Sequence, residues 1–282
     1  MTLPNPPSPD ADFGPRLASP VMSGPRRLGE VAPGVFVATS SRCTTTTTVI
    51  ANSGRALLVD PCWTPTELDE LAADLSALGL RVTTGFSTHA HHDHMLWHPD
   101  FGDGPRWTSP AALDFAHRYH DELVEALGSD WPEELADVFD GLAALDDETV
   151  PAAFGDNGSE EPIRLLTHDG HSPGHTALWL EERSVFIAGD MLSDLELPLP
   201  FSPDDLPGYL QALDLLAPYV LAAGTLIPGH GHVTDNPIER LDADRRYLDD
   251  VIAGRDAPDP RRANRDMEES HQRIVQLARE MS

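Results

Sequence analysis

The sequence predicts an α/β protein, and three observations lead to this class. Short runs rich in β-branched and aliphatic residues, typical of strands, alternate with longer runs that carry leucine at helical spacing. Helix-start signals, in which a capping residue is followed by proline and glutamate, separate the two kinds of run. Polar, histidine-rich loops adjoin several strands, and this order is the pattern of an α/β domain. A chain of 282 residues with 40% hydrophobic side chains can bury a large core.

The first elements of the chain are mainly strands. β-Branched and aliphatic runs predict strands at Val35–Thr39, Thr44–Ile50 and Ala56–Val59. We interpret the threonine run in the second of these as a solvated edge strand rather than the wall of a hydroxyl-lined pocket. Thr64-Pro65-Thr66-Glu67 supplies a helix cap, and the helix ends at Gly79. The next strand, Arg81–Ser87, runs directly into a loop rich in histidine.

The remaining elements are predicted from caps, stops and periodicity. After a short strand near Trp107, Ser109-Pro110 starts a long helix that reaches Leu127, and a second helix is predicted at Pro132–Asp140. Further strands are predicted at Ile163–Leu166, Thr176–Leu180, Ser184–Ala188 and Thr225–Ile227. Further helices are predicted at Asp205–Leu216, Asn236–Ala253 and Arg265–Met281.

Charge and composition narrow the class of partner. Asp and Glu number 47 against 19 Lys and Arg, which gives a formal net charge of -28. Such a field repels phosphate backbones and anionic lipid, so we expect a small-molecule substrate and neither nucleic acid nor a membrane as partner. The opening residues carry no basic segment followed by an apolar stretch, and Cys43 and Cys62 are expected to be reduced. We therefore predict a cytoplasmic protein, whose oligomeric state the sequence leaves open.

The histidines fall into clusters along the chain. Most of the 13 histidines lie at positions 89–98, 168–175 and 230–232. Each cluster adjoins a predicted strand, and loops at strand ends are where binding sites form. The clusters are therefore expected to converge at one edge of a sheet.

The first cluster contains the motif His89-Ala90-His91-His92-Asp93-His94. Side chains at i and i+2 of an extended segment point the same way, so His89 and His91 can hold one ion. If the chain then turns, Asp93 and His94 face a second ion beside it. Neutral imidazoles with a carboxylate suit zinc, and also iron or manganese. Three protein ligands leave an open position for water.

These motifs resemble those of the metallo-β-lactamase superfamily. The family's signature is His-x-His-x-Asp-His after a strand. Later motifs stand in the family's order, at Pro173-Gly174-His175-Thr176, Ala188-Gly189-Asp190 and Pro228-Gly229-His230-Gly231. Leu57–Asp60 is similar to the family's strand that ends in a structural aspartate, and the resemblance spans about residues 30–253. Four motifs in one order are more specific than a lone His-x-His pair.

The resemblance implies a four-layer αβ/βα sandwich with metals at one edge of its two sheets. Carried over residue by residue, it implies a first metal held by His89, His91 and His175, a second held by Asp93, His94 and His230, and a bridging Asp190. His171 is expected behind the ligands, because His175 stands in the family's Pro-Gly-His-Thr frame beside a strand. Asp60 is expected there too, because ligating histidines usually donate their other N–H to such a carboxylate.

Proline-rich composition at the two ends, together with the span of the resemblance, suggests how the chain is divided. Residues 1–28 are expected to form a flexible Pro-rich arm, and residues 29–254 a metallo-β-lactamase-type catalytic domain with a helical insertion at 109–160. Residues 255–282 are expected to form a C-terminal linker and helix.

The implied activity is hydrolysis of a carbonyl compound by a metal-bound hydroxide that Asp93 orients. The cofactors would be two divalent metal ions, zinc first by ligand chemistry, with iron or manganese as alternatives. The bridging Asp190 is usually absent from secreted β-lactamases and is retained in glyoxalase II-like thioesterases and lactonases. The resemblance therefore implies a thioester, an ester or a lactone as substrate. Two alternatives stay open: a mononuclear iron persulfide dioxygenase and a non-catalytic metal-binding relative.

Overall fold

The computed structural model describes residues 28–128, 131–132, 135, 141–151, 154, 162–201, 203–264 and 266–281. The predicted N-terminal arm, apart from its last residue, lies outside the described residues, as does most of the predicted helix Pro132–Asp140. Within the described ranges, no helix has both the length and the apolar composition needed to cross a membrane.

The strands in the described residues form two sheets. The first sheet contains, in spatial order, β1 (Gly29–Ala32), β2 (Val35–Thr39), β3 (Thr46–Asn52), β4 (Arg55–Val59), β5 (Arg81–Phe86), β6 (Arg106–Thr108) and β7 (Leu142–Ala144). Strands β1 to β4 pair antiparallel, and β4 to β7 pair parallel. The second sheet has the order β11 (Thr225–Pro228), β10 (Val185–Gly189), β9 (His175–Leu180) and β8 (Ile163–His168). Only β10 and β11 pair parallel in this described sheet.

The helices largely begin where their caps predict. They are α1 (Pro65–Ala77), α2 (Pro110–Arg118), α3 (His120–Leu127), α4 (Leu206–Ala222), α5 (Pro237–Ile252) and α6 (Met267–Glu280). The prediction of one long helix from Pro110 to Leu127 is wrong. Tyr119 (φ -114°, ψ 26°) leaves the helical conformation and separates α2 from α3. Helix α4 continues past Pro218 to Ala222, beyond its predicted end.

Three buried cores show how the layers are stacked. Ile50 and Leu57 of the first sheet pack with Ile187 of the second, between the sheets. The alternate residues of the same strands face outwards: those of the first sheet pack against α1, α2 and α3, and those of the second against α4, α5 and α6. The order is helices, sheet, sheet, helices, which confirms the predicted four-layer αβ/βα sandwich. Helices α2 and α3 lie in the segment predicted as a helical insertion.

The threonine run is not the solvated edge that the sequence predicted. Strand β3 lies between β2 and β4, and residues 45–48 are buried. The hydroxyls are satisfied inside the protein: Thr46 Oγ1 donates to the Pro228 carbonyl at 2.5 Å, and Thr47 Oγ1 to the Asp60 carbonyl at 3.1 Å. Hydrogen bonds of this kind let polar side chains be buried without a large penalty.

Candidate metal centre

The three histidine clusters meet at one edge of the sandwich. Residues 89–94 follow β5, Asp190 follows β10 and His230 follows β11. Because β10 and β11 are parallel, their carboxyl ends lie on the same edge of the second sheet. Strand β9 runs antiparallel to β10, so the loop that precedes it, with His171, reaches the same edge. The Thr176 N–H donates to the Thr88 carbonyl at 2.8 Å and ties the two sheets together there.

A first group of possible ligand atoms comes from His89, His91, His171 and Asp190, with all four atoms within 4.8 Å of one another. His91 Nδ1 lies 3.0 Å from His89 Nε2 and 3.2 Å from His171 Nε2. Asp190 Oδ2 lies 3.3 Å from His89 Nε2 and 3.5 Å from His171 Nε2. All four residues are buried, so the group is enclosed by protein.

The predicted positions of His171 and His175 are wrong, because His171 lies in the first group and His175 does not. His175 Nε2 accepts the backbone N–H of Asp190 at 3.0 Å, and His175 Nδ1 lies 3.2 Å from His168 Nε2. Both ring nitrogens are therefore engaged away from the other ligand atoms. His175 lies behind Asp190 and supports it from the backbone side.

A second group consists of Asp93, His94 and His230, with ligand atoms also within 4.8 Å of one another. His94 Nε2 lies 3.2 Å from His230 Nε2, and Asp93 Oδ2 lies 3.3 Å from His230 Nε2. Asp190 reaches this group as well: its Oδ1 is 3.2 Å from His94 Nε2 and its Oδ2 is 3.3 Å from His230 Nε2. One carboxylate thus contacts both groups.

Backbone carbonyls determine where two of these rings carry their protons. The Leu199 carbonyl lies 3.0 Å from His171 Nδ1, and the Cys43 carbonyl lies 3.0 Å from His230 Nδ1. A carbonyl oxygen can only accept, so each Nδ1 donates. The Nε2 atoms of the neutral rings therefore present lone pairs to the two groups.

Asp60 and Thr88 determine where two further rings, His89 and His94, carry their protons. Asp60 Oδ1 accepts the Thr88 N–H at 2.8 Å, while Oδ2 accepts the Thr88 hydroxyl at 2.6 Å and His94 Nδ1 at 3.1 Å. Having donated its proton, the hydroxyl accepts from His89 Nδ1 at 3.0 Å. Asp60 therefore lies behind the groups, orienting His94 directly and His89 through Thr88.

This donor set fits a divalent metal ion in each group. His94 Nε2 and His230 Nε2 face each other, and their lone pairs repel unless a proton or a metal ion lies between them. Asp93 Oδ1 and Asp190 Oδ1 are buried with no hydrogen-bonding partner among the described residues. Such atoms are costly unless something satisfies them. Imidazole nitrogens with carboxylate oxygens suit zinc, iron and manganese.

The electrostatics of the two groups also favour cations. Burial alone would lower the pKa of His94 and of His230, but Asp190 and the other nearby carboxylates together outweigh burial and raise both pKa values well above the usual range. Burial opposes ionisation of Asp93, yet His94 and its neighbours lower the Asp93 pKa to about 2. In the first group, burial lowers the pKa of His91 well below its usual range. The second group thus attracts positive charge, whereas in the first group burial keeps His91 neutral.

Other histidines of the clusters lie outside both groups. His92 packs edge-on against a buried tryptophan ring, with ring centroids 4.9 Å apart. His98 Nε2 lies 3.1 Å from the exposed Asp69 carboxylate. His232 Nδ1 lies 2.9 Å from Asp194. None of the three is therefore among the possible ligands of either group.

The sequence did not identify several groups that support the ligands. Thr45 Oγ1 lies 3.3 Å from both Asp93 Oδ2 and His230 Nδ1. Thr88 stands immediately before the histidine motif, which is the only sequence signal it offers. The Cys43 and Leu199 carbonyls carry no signal at all, because every residue has a backbone carbonyl.

The fold and the site together define an α/β protein of the four-layer sandwich class with a metal-binding edge. The family model of the metallo-beta-lactamase superfamily matches residues 41–230. The chain therefore belongs to the metallo-β-lactamase superfamily.

Two solved structures share the fold of this chain at low sequence identity, and one further protein matches part of its sequence. A metallo-beta-lactamase family protein from Thermus thermophilus has a TM-score of 0.62 and 19% identity, over 89% of this chain and 95% of that one. The DIM-1 metallo-beta-lactamase has a TM-score of 0.59 and 18% identity, over 79% and 96%. The Beta-lactamase-like protein 2 homolog of Caenorhabditis elegans is 32% identical over 80 residues, which cover 28% of this chain and 25% of that protein.

Proposed function

We propose that this protein is a dinuclear metal-dependent hydrolase that cleaves a thioester, an ester or a lactone. The observation that carries the proposal is the position of Asp190, whose carboxylate contacts His89 and His171 on one side and His94 and His230 on the other. A carboxylate shared between two groups of imidazoles is suited to bridge two ions.

Different residues of the chain would hold each of the two ions at such a site. His89, His91 and His171 would hold one ion, Asp93, His94 and His230 the other, and Asp190 both. Bound there, divalent ions would supply Lewis-acid chemistry, lowering the pKa of water and polarising a carbonyl oxygen.

Asp93 is the residue we assign to positioning the attacking water. Thr45 Oγ1 donates to Asp93 Oδ2 at 3.3 Å, which leaves Oδ1 as a buried acceptor without a partner among the described residues. An acceptor in that position can receive a hydrogen bond from the nucleophile and carry a proton to the leaving group. Metal binding and nucleophile positioning thus use the two oxygens of one side chain.

The overall charge supports a small-molecule substrate. With a formal net charge of -28, the chain repels polyanions such as nucleic acid and anionic membrane surfaces. We therefore propose a small, diffusible carbonyl compound as substrate.

The second group favours two ions over one. A mononuclear iron persulfide dioxygenase would need only one group of ligands, which would leave the converging nitrogens of His94 and His230 unused. A non-catalytic metal-binding relative would bind the same ions without turnover. Metal stoichiometry tests the first alternative, and hydrolysis tests the second.

The experiment combines metal analysis with a substrate panel. Purified protein is reconstituted with zinc, iron or manganese, its metal content is measured, and thioesters, esters and lactones are assayed together with oxygen consumption. We expect two ions per chain and hydrolysis of at least one substrate class. Asp190→Ala should lose at least one ion and about a hundredfold or more in activity, because even partners of ligands contribute that much.

The control for this variant is Asp69→Ala, which removes an exposed carboxylate that pairs with His98. It should keep both ions and full activity. A wild-type stoichiometry that stays at one, or oxygen uptake without hydrolysis, would overturn the proposal.

A further inference from the structure

The loop between β10 and α4, residues 190–205, supports a histidine of each group. His171 Nδ1 donates to the Leu199 carbonyl of this loop at 3.0 Å. Ser193 Oγ donates to the His230 backbone carbonyl at 2.7 Å. The conformation of the loop therefore fixes the orientation of His171 and the backbone position of His230.

The loop is held in turn by Arg261, which belongs to the segment after α5. Arg261 is only 5% exposed, and its Nη1 donates to the Ser193 and Glu196 carbonyls, each at 3.0 Å. The same nitrogen lies 2.5 Å from Asp244 Oδ1 of α5. Nε and Nη2 form a two-pronged contact with Asp259, at 3.0 and 2.9 Å. One guanidinium thus joins the loop, α5 and its own segment.

Further contacts of the same C-terminal segment reach the loop. Asn264 Nδ2 donates to the Leu195 carbonyl at 2.7 Å, and the Leu197 N–H donates to Met267 Sδ at 3.2 Å. The guanidinium of Arg273 lies over the Phe201 ring, 4.2 Å from its centroid. The segment that the sequence separated from the catalytic domain therefore packs along this loop.

We propose that Arg261 is a positioning residue of the metal centre, which acts through the loop 190–205 on His171 and His230. The proposal rests on the proposed function, because it needs metal ions bound by those histidines. An arginine suits the role, since its planar fork carries five donors and can serve carbonyls and carboxylates together. Partners that orient ligating histidines usually change metal affinity about 10–100-fold.

A lysine at position 261 cannot reproduce the hydrogen bonds of the Arg261 guanidinium. Its ammonium group has three donors around one nitrogen and cannot make a two-pronged contact with Asp259 while reaching both loop carbonyls. Asp244 is 1% exposed, so it depends on a buried cation for compensation. Arg261→Lys should therefore keep the charge and lose part of the geometry.

The test measures zinc affinity of the full chain by competition with a chromophoric chelator. We expect Arg261→Met to weaken zinc binding by about tenfold, Arg261→Lys to weaken it less, and Asn264→Ala to weaken it by about twofold to threefold. Arg262→Met is the matched control, because the described hydrogen bonds of this neighbouring, more exposed arginine go to Glu268 and to the Ala257 carbonyl. It should bind zinc as the wild type does.

A purely structural role would give a different pattern. Metal-free Arg261 variants would then unfold at lower temperature, while the affinity of the folded protein stayed at the wild-type value, and that result overturns the positioning role. If Arg261→Met does not fold, the zinc affinity of Asn264→Ala tests the proposal instead. An affinity equal to that of the wild type overturns the proposal. A wild-type protein that binds no zinc overturns the proposed function as well, so the two failures are distinguishable.

Discussion

Asp190 is held through its backbone as well as through its carboxylate. Its N–H donates to His175 Nε2 at 3.0 Å, and His175 has no exposed surface. The preceding Gly189 adopts φ +54°, and a Cβ there would collide with the His175 ring. Glycine therefore lets the strand β10 end against an imidazole, and this contact aims the Asp190 side chain at the two groups.

Single substitutions at His171 and His175 should separate ligand from support. His171→Ala removes a nitrogen of the first group, so we expect loss of at least one zinc ion with the fold retained. His175→Ala leaves the Asp190 N–H without its acceptor, which should lower the free energy of unfolding by about 1–3 kcal/mol while most of the zinc is kept. Metal analysis and urea unfolding of both variants measure the difference.

His120→Ala is the control for these two variants, because this exposed ring pairs with Asp121 of α3, outside both groups. It should change neither the zinc content nor the free energy of unfolding. Full zinc content in His171→Ala, together with zinc loss in His175→Ala, would show that His175 is the ligand and His171 the supporting residue, as the sequence predicted.

The sequence could place most of the site, because its strongest signals are local. Six of the ligands that the family resemblance implies lie in the two groups, namely His89, His91, Asp93, His94, Asp190 and His230. Spacing could not separate His171 from His175, which stand on either side of a Pro-Gly pair. The choice depends on the Leu199 carbonyl, which lies 28 residues further along the chain.

Helix α1 is joined to the site through its capping residue. Glu67 accepts the Thr64 N–H in a capping box, and its two oxygens also accept the hydroxyls of Ser40 and Ser41 and the Ser41 N–H. Ser40 and Ser41 begin the loop that continues to Cys43, whose carbonyl orients His230. The start of a helix and the position of a ligand thus depend on one carboxylate.

Replacing Glu67 should destabilise the protein in a pH-dependent way. Burial opposes its ionisation, but the hydrogen bonds from Ser41, Ser40 and Thr64 outweigh burial and lower the Glu67 pKa. A lowered folded-state pKa stabilises the protein above the unfolded pKa, and this contribution is lost as pH falls through the folded value. Glu67→Gln should therefore lower the free energy of unfolding by about 1–2 kcal/mol at pH 7, and by less as pH falls below about 4.5.

Urea unfolding between pH 7 and about pH 3.5 measures this dependence. Glu70→Gln is the control on the same helix, since it removes a carboxylate that does not cap α1, and it should show no such trend. A Glu67→Gln deficit that is constant across this range would mean that the ionised carboxylate is not the stabilising form.

The sequence predicted helices and strands correctly where their signals are local. The prediction failed where the burial of an element depends on distant partners. The Thr64–Glu67 cap marks the start of α1 correctly, because the capping groups are neighbours in sequence. Strand β3 was misjudged as an edge because its burial comes from the other sheet: Thr45 forms a bridge with His230, and the Thr46 N–H donates to the Gly229 carbonyl at 2.7 Å. No periodicity within β3 reveals a partner more than 180 residues away.

The two halves of the sandwich meet at the metal centre. The first sheet supplies residues 89–94, and the second supplies His171, Asp190 and His230. Each group of possible ligands therefore contains residues from both halves. Metal ions bound here would link the sheets across the edge of the core, and they would also reduce the repulsion among carboxylates in a chain with a formal net charge of -28.

Removal of metal should consequently destabilise the entire fold rather than the site alone. A ligand that binds only the folded state stabilises it by about 4 kcal/mol at a thousandfold excess over its Kd. For a chain of this size that corresponds to about 7 °C in Tm, which should be lost on treatment with a chelator and regained with zinc. Magnesium at matched ionic strength is the control, because it prefers oxygen ligands and would reproduce only the screening of negative charge. An equal gain in Tm from magnesium would assign the stabilisation to screening, whereas a gain from zinc alone, absent in Asp190→Ala, would assign it to ions that link the two sheets.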